Sequence, residues 1–331
     1  MDLSSLAPTS PIVLSAVALD ALLGDPVYPL HPVRLIGRTL SVFEVWLHKI
    51  RLAGYVGGCL LLLLLAMVWV VVPCVLIVEV NKYSPMAAWA VHLFLVYSLI
   101  ALRDLLRHGW AVESALRRDD ISGARYAVSL LVGRDTQPMD AAACRRAVIE
   151  SLAENVVDGF ASPLFWYALV GLPGLLLFKV VSTMDSMVGY KTPRYLRFGW
   201  CGARSDDLMN WLPARFTWLV MTVAAFVLPE ASAAKAVRIG WRQHALVPGP
   251  NSGWSEATIA GALQRRLVGP IWQDGQLVTS VWLGDAPDPE AGLPDDFTNA
   301  CYFLIIVSAG WIAIIVTFLA CSSSIDLATP H

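Results

Sequence analysis

Four stretches of the chain carry side chains that can do chemistry. The first is Gly24-Asp25-Pro26 followed by His31-Pro32-Val33-Arg34-Leu35-Ile36-Gly37-Arg38. Arg and His suit phosphate or carboxylate partners. A Pro-punctuated turn with a snorkelling Arg would read the same way. The second is a loop with Arg134 and Asp135, then a helical pattern from Asp140 to Val157. There Glu150, Glu154 and Asp158 fall at i, i+4, i+8, with Asn155 beside them. Carboxylates on one stripe repel each other. A cationic substrate or Mg²⁺ would relieve that, because Mg²⁺ takes one or two carboxylates plus phosphate oxygens. A solvated acidic face, helped by Arg146 one turn before Glu150, is the plain alternative.

The third stretch is the densest. Asp185 and Lys191 lie in STMDSMVGYK, and Arg204, Asp206, Asp207, Asn210 and Arg215 in RSDDLMNWLPAR. One Asp can cap the following helix; the second then has no capping task. Ionisable groups at membrane depth point to function by default. The fourth runs from Pro248 to Ala257 and holds Asn251, Ser252, Gly253, Trp254 and Glu256 before a small-residue helix, TIAGAL. A loop of this kind offers free N–H groups at a positive helix end and could cradle phosphate; a capped turn is the alternative. No GxxxxGK[ST], GxGxxG or HExxH motif occurs, so any use of ATP proceeds without a P-loop.

These residues need a scaffold, and its composition is that of a membrane protein. The 331 residues are 56% hydrophobic and 15% charged, whereas soluble domains are roughly half apolar and a quarter charged. The net charge of -2 argues against nucleic acid as partner. The six cysteines form no CxxC pair and read as small apolar filler. The N-terminus lacks a basic region and a cleavage site, so no cleaved signal peptide is expected.

A bilayer core needs about 20 apolar residues in a helix. Six segments qualify: a weak one near 11–23, interrupted by Asp20; 53–80; 86–102; 160–181, broken by Gly171-Leu172-Pro173-Gly174; 208–228; and 300–320. The expectation is an all-α polytopic protein forming one integral-membrane domain, 1–331, with polar loops 24–52, 103–159, 182–207 and 230–299. Seventeen of the 24 Lys and Arg lie in loops 24–52, 103–159 and 230–299. The positive-inside rule therefore puts those loops in the cytoplasm. The polar stretch 182–207 falls on the other side, so it is expected to dip back toward the same site, lining a protein cavity. Residues alone favour a membrane enzyme. A transporter is the main rival, given the broken helix and charges at depth; a noncatalytic scaffold is the next.

The strings GDP…HPVRLIGR, VGRDT, VIESLAENVVDGFASPLFWY, TMDSMVGYKTPRY, ARSDDLMNWLPAR and PNSGWSEATIAGAL occur in this order. Together they closely resemble the CobD/CbiB family of cobalamin-biosynthesis membrane proteins, the adenosylcobinamide-phosphate synthases. The resemblance runs from about Asp20 to Asp285. The chain departs from the family pattern at Ser182, Met184, Gly249 and Ile271, where Asn, Leu, Ser and Asn are usual.

The resemblance implies ATP-dependent amide formation between a propionate carboxylate of adenosylcobyric acid and aminopropanol or aminopropanol phosphate. The implied cofactors are ATP and Mg²⁺. The implied location is the bacterial cytoplasmic membrane, with contact to other membrane enzymes of the pathway. On this reading Asp185, Asp206 and Asp207 hold Mg²⁺, and Lys191, Arg204, Arg215 and Arg134 contact phosphates. Glu150 or Glu154 holds the amine or acts as base, with Asp158 in the same catalytic set. Asn251, Ser252 and Gly253 form a binding turn, and Trp254 stacks on the corrin or adenosyl group. Asp25, His31, Arg34, Asp135, Asn155, Asn210 and Glu256 complete the substrate-binding set.

Overall fold

The computed structural model describes residues 3–26 and 28–328. In chain order the elements are α1 (Ser10–Leu23), α2 (Pro32–Lys49), α3 (Tyr55–Ala66), α4 (Val72–Tyr83), α5 (Pro85–Ser98), α6 (Leu102–Leu116) and α7 (Ile121–Ser129). Next come α8 (Ala141–Val156), α9 (Ser162–Val170), α10 (Leu172–Val188), α11 (Trp200–Met209), α12 (Trp211–Ala224), α13 (Ala233–Gln243) and α14 (Ser252–Leu263). Four short strands follow, β1 (Leu267–Val268), β2 (Ile271–Gln273), β3 (Gln276–Thr279) and β4 (Trp282–Leu283), then α15 (Pro294–Ala328). Several helix starts follow from capping chemistry. Ser84 and Asp140 accept the Ala87 and Ala143 N–H groups, at 3.2 and 2.7 Å, and Pro85 takes a first-turn position that needs no donor.

The molecule is an all-α polytopic membrane protein. Among the described residues, four helical runs are long and apolar enough to cross a bilayer: Ser4–Leu23, Tyr55–Tyr83, Pro85–Leu116 and Pro294–Ser322. They coincide with four of the six expected segments. The other two are broken into shorter helices. Segment 160–181 becomes α9 and α10, divided at Gly171, whose φ of 74° suits glycine. Segment 208–228 straddles the junction of α11 and α12. The 14 residues of α12 reach only about 21 Å at 1.5 Å per residue, short of a roughly 30 Å core.

The chain divides into two compact units. The first comprises the residues up to Ala101, Ser162–Asn210 and those from Ile312 onward. Its core joins α2, α3 and α10 through Ile36, Leu40, Leu47, Leu61, Leu65, Val180, Met184 and Val188. Phe198 from the polar stretch completes it, so 182–207 folds back onto these helices. Arg194 and Tyr195 hold the buried Glu44 of α2, at 2.6 and 3.1 Å.

The second unit comprises Leu102–Ala161 and Trp211–Trp311. Its centre is α14, buried along its length from Gly253 to Ala262 and packed on α8, α12, α13, β1 and β4. Small side chains permit that closeness. A Cβ at Gly261 would stand 2.5 Å from the Lys235 carbonyl oxygen of α13. Strands were not expected in loop 230–299. β1 pairs with β4, and β2 with β3 across a two-residue turn in which Asp274 and Gly275 both have positive φ.

Gly261→Ala should overpack the α13–α14 contact and destabilise the second unit by about 1–3 kcal/mol. Gly159→Ala, where nothing lies within 4 Å of the added carbon, should not. Thermal unfolding in detergent compares the two; equal midpoints would refute the packing account.

Candidate functional site

In the second unit, a cavity of about 700 Å³ is bounded by three helical or loop walls and a strand wall. Loop 131–134 and one face of α8 form two of the walls. Loop 245–248 with the first turn of α14 forms another, and residues from the β2–β3 hairpin close the fourth side. Four charged side chains reach it: Arg134, Glu150, Glu154 and Glu256. The expected stripe on α8 is real for Glu150 and Glu154. Asp158 falls in a π-helical turn, Val157–Ala161, that changes the helical period after α8.

Glu150 is locked at both oxygens. Arg134 donates to Oε2 at 2.6 Å, and the Val268 N–H donates to Oε1 at 2.9 Å. Both side chains of the ion pair are about nine-tenths buried. The Arg134 Nε is buried with no acceptor among the described residues, which leaves one donor for a ligand. Val268 adopts φ of 69°, a costly conformation for a β-branched residue. Such strain persists where surroundings over-determine it, and it clusters at functional sites.

Glu256 differs from its neighbours. It is 8% exposed, and no arginine fork engages it. Burial lifts its pKa from an ordinary 4.5 to about 8, and the charges of Glu154 and Glu150 push the same way. The Ser252 hydroxyl, one turn earlier, and Arg134 oppose the rise. Glu154 is exposed at the cavity mouth.

The other expected residues of this unit have structural partners. Asn155 donates to the Ser151 carbonyl at 2.8 Å, back along its own helix. The Asp135 carboxylate accepts from the Gly275 N–H at 2.8 Å and so holds the hairpin tip. Asn251 accepts from Arg215 at 3.0 Å. Gly253 lies against the His244 carbonyl oxygen, where a Cβ would come within 2.0 Å. Trp254 is 4% exposed. His244 stacks on its ring at 3.9 Å and Arg215 lies over it at 5.1 Å. Both contacts are internal, so the ring expected to stack on substrate already has partners.

The first unit gathers the remaining expected groups. Asp185 is half-buried near the end of α10; burial, then the Asp207 charge, raises its pKa. Arg204 pairs with Asp207 at 3.2 Å. Asp206 accepts from Asn210 at 3.0 Å, and Asn210 is itself buried, accepting from Ser162 at 2.6 Å. The three aspartates expected together thus divide into a mutually repelling pair, Asp185 and Asp207, and a third tied into the helix junction. Among the described residues no group of three or more His, Cys, Asp or Glu is arranged to hold a metal. Two carboxylates whose charges oppose one another still match the donor set Mg²⁺ takes beside phosphate oxygens. Lys191 and Arg34 are exposed. His31 is buried at the start of α2, its Nε2 2.7 Å from Asp25.

The hairpin wall was not among the expected elements. Its signal was present: Asp274-Gly275 between IWQ and QLVT is a strong short-range hairpin cue. Val268 and Val281 carry no comparable signal, because their place in the cavity depends on pairing distant in sequence.

A polytopic helical membrane protein with a carboxylate-lined cavity in a polar unit is therefore the class defined by fold and site. The family model described as "CobD/Cbib protein" matches residues 13–304, and the chain belongs to that family. A relative from Photorhabdus laumondii, named cobalamin biosynthesis protein CobD, is 40% identical over 276 residues, covering 82% of this chain and 86% of its own. One from Klebsiella pneumoniae with the same name is 40% identical over 272 residues, 81% of this chain and 85% of its own. One from Salmonella arizonae, named cobalamin biosynthesis protein CbiB, is 38% identical over 275 residues, 82% and 86%. No solved structure matches the chain.

The raised pKa of Glu256 makes stability depend on pH. The folded chain keeps a proton that the unfolded chain gives up near 4.5, so stability is greatest below that value. It is lost as pH rises through about 8. Glu256→Gln should therefore gain thermal midpoint relative to the native chain between pH 5 and 8.5. A midpoint difference that does not vary with pH would show that Glu256 titrates normally.

Proposed function

We propose that the chain is a membrane enzyme of cobalamin biosynthesis that couples ATP cleavage to amide formation. Its substrates on this reading are adenosylcobyric acid and aminopropanol or aminopropanol phosphate. The observation that carries the reading is the cavity of the second unit, where three carboxylates face a single arginine. An excess of negative charge around one cation suits an ammonium group. The relatives' names, cobalamin biosynthesis protein CobD and CbiB, support the pathway.

Amide ligation demands an activated carboxylate, compensation of phosphate charge and an amine held without its extra proton. The residues supply matching types. Arg134 and the Val268 N–H hold Glu150 in place, which fixes one wall of the cavity against an incoming cation. Asp185 and Asp207 are the proposed Mg²⁺ ligands, and Arg204 and Lys191 the proposed phosphate contacts. Mg²⁺, when bound, would offset phosphate charge during carboxylate activation. The excess of Lys and Arg in loops 24–52, 103–159 and 230–299 favours a cytoplasmic face for this chemistry, where ATP is available.

The test is turnover by the full chain in detergent with adenosylcobyric acid, ATP, Mg²⁺ and aminopropanol phosphate, read by mass spectrometry. An amide product that requires ATP is expected. Asp207→Asn should raise the Mg²⁺ concentration for half-maximal rate by roughly tenfold or more. Absence of product while corrinoid still binds would overturn the ligase reading in favour of carriage or scaffolding. Unchanged Mg²⁺ dependence in Asp207→Asn would overturn the metal assignment alone.

A further inference from the structure

We infer that Glu256 is the catalytic residue that takes the proton from the amine substrate. This rests on the ligase reading above and adds to it a role for a group that neither the family match nor the relatives' names assign.

Three carboxylates line the cavity. Glu150 has both oxygens bonded, to Arg134 and to the Val268 N–H. A carboxylate whose two oxygens both accept buried hydrogen bonds is committed to holding the fold and is poorly placed to reach a substrate proton. Glu154 is exposed, so its carboxylate is not shielded from bulk water at the moment of proton transfer. Glu256 is buried, lines the cavity beside Ser252, and sits on α14, the most enclosed helix of its unit. Its carboxylate is therefore held in place, shielded from bulk water and open to the cavity.

The charges around it come from a small set of elements. Glu150 and Glu154 of α8 favour its protonated form, and Arg134 from the preceding loop opposes that. On α13, Lys235 and Arg238 are engaged elsewhere, with Asp288 and Asp285. On α12, Arg215 is bound to Asn251 and lies over Trp254. β1 and β4 contribute Leu267, Val268, Trp282 and Leu283, none charged. The resulting basicity, near pH 8, is closer to that of an alkyl ammonium than an ordinary carboxylate's. Such matching is what a general base needs.

An ammonium N–H bond breaks and its proton moves to a Glu256 oxygen. The freed nitrogen lone pair forms a C–N bond to the carbonyl of a carboxylate activated as a mixed anhydride with phosphate. The C–O bond to phosphate breaks, and the phosphate leaves with that electron pair and the second nitrogen proton. Glu256 then returns its proton to solvent through the cavity mouth.

The experiment is a pH profile of amide formation for the native chain, Glu256→Gln and Glu256→Asp, with aminopropanol phosphate varied. The native rate should rise with pH through about 8. Glu256→Gln should lower kcat by roughly 10²–10⁴-fold and lose that limb, while KM for the amine changes little. Glu256→Asp should keep a limb at reduced rate, because the base remains but is one methylene further away. A folded Gln variant with the native limb and a rate within tenfold of native would overturn the inference. Should the Gln variant not fold, the Asp variant decides: a limb and rate identical to native would equally overturn it. A native chain that forms no amide fails the ligase reading instead, which separates the two.

Discussion

The Glu150 carboxylate is the tie on which the second unit's chemistry depends. Its two oxygens bind groups from two other segments, one of them 118 residues away. Buried charge is tolerated when it is paired and hydrogen-bonded, and here Arg134 pairs the carboxylate while both of its oxygens accept hydrogen bonds. The tie sets the distance between α8, the Arg134 loop and β1. It also holds Val268 in a backbone conformation that a valine would not otherwise keep. Removing Arg134 would leave Glu150 buried with the Val268 N–H as its remaining hydrogen-bond partner among the described residues, and removing Glu150 would leave the buried Arg134 without its carboxylate.

Once Glu150 and Arg134 are committed to each other, Glu256 has no cation of its own. A buried carboxylate in that position relaxes by holding its proton. The same local negative field that raises its pKa makes the cavity receptive to a cation. One arrangement of charges thus accounts for an unusually basic carboxylate and, on the proposed ligase reading, for selection of an amine. The remaining buried charges of the unit are neutralised locally. Glu113 is 1% exposed and is satisfied by Arg145 and Arg117, at 2.7 and 3.0 Å. Lys235 satisfies one oxygen of Asp288 at 2.6 Å. Against that background the deficit of positive charge around Glu256 is local.

The first unit solves a different problem. Its helices are mostly apolar, and its polar stretch 182–207 must lie on them without stranding charge. Glu44 turns inward from α2 and receives Arg194 and Tyr195, while Phe198 enters the core beside Met184 and Val188. The stretch is anchored at those points, and α11 carries Arg204, Asp206 and Asp207 from a supported start. Asn210 then bridges Asp206 and Ser162. It serves the helix junction, which is why its polarity was readable from its neighbours but its task was not.

Much of this was legible in the residues. Long apolar runs announced the spanning helices, because lipid forces a helix to be about 20 apolar residues long. Asp140 announced the start of α8 and the i, i+4 spacing put Glu150 and Glu154 on one face, since both depend on contacts within a turn or two. The ordered motifs named the family. Other features depended on pairing across the fold. Neither the lock on Glu150, the isolation of Glu256, nor the covering of Trp254 by His244 and Arg215 can be read from local spacing. The break of segment 160–181 at Gly171 was legible in its Gly-Leu-Pro-Gly cluster, whereas the division of 208–228 between α11 and α12 was not. Sequence alone determined which groups were available and which helices they rode on. Only the tertiary structure decided which carboxylate kept a partner and which was left to hold a proton, because burial and counter-charge arise when distant segments meet.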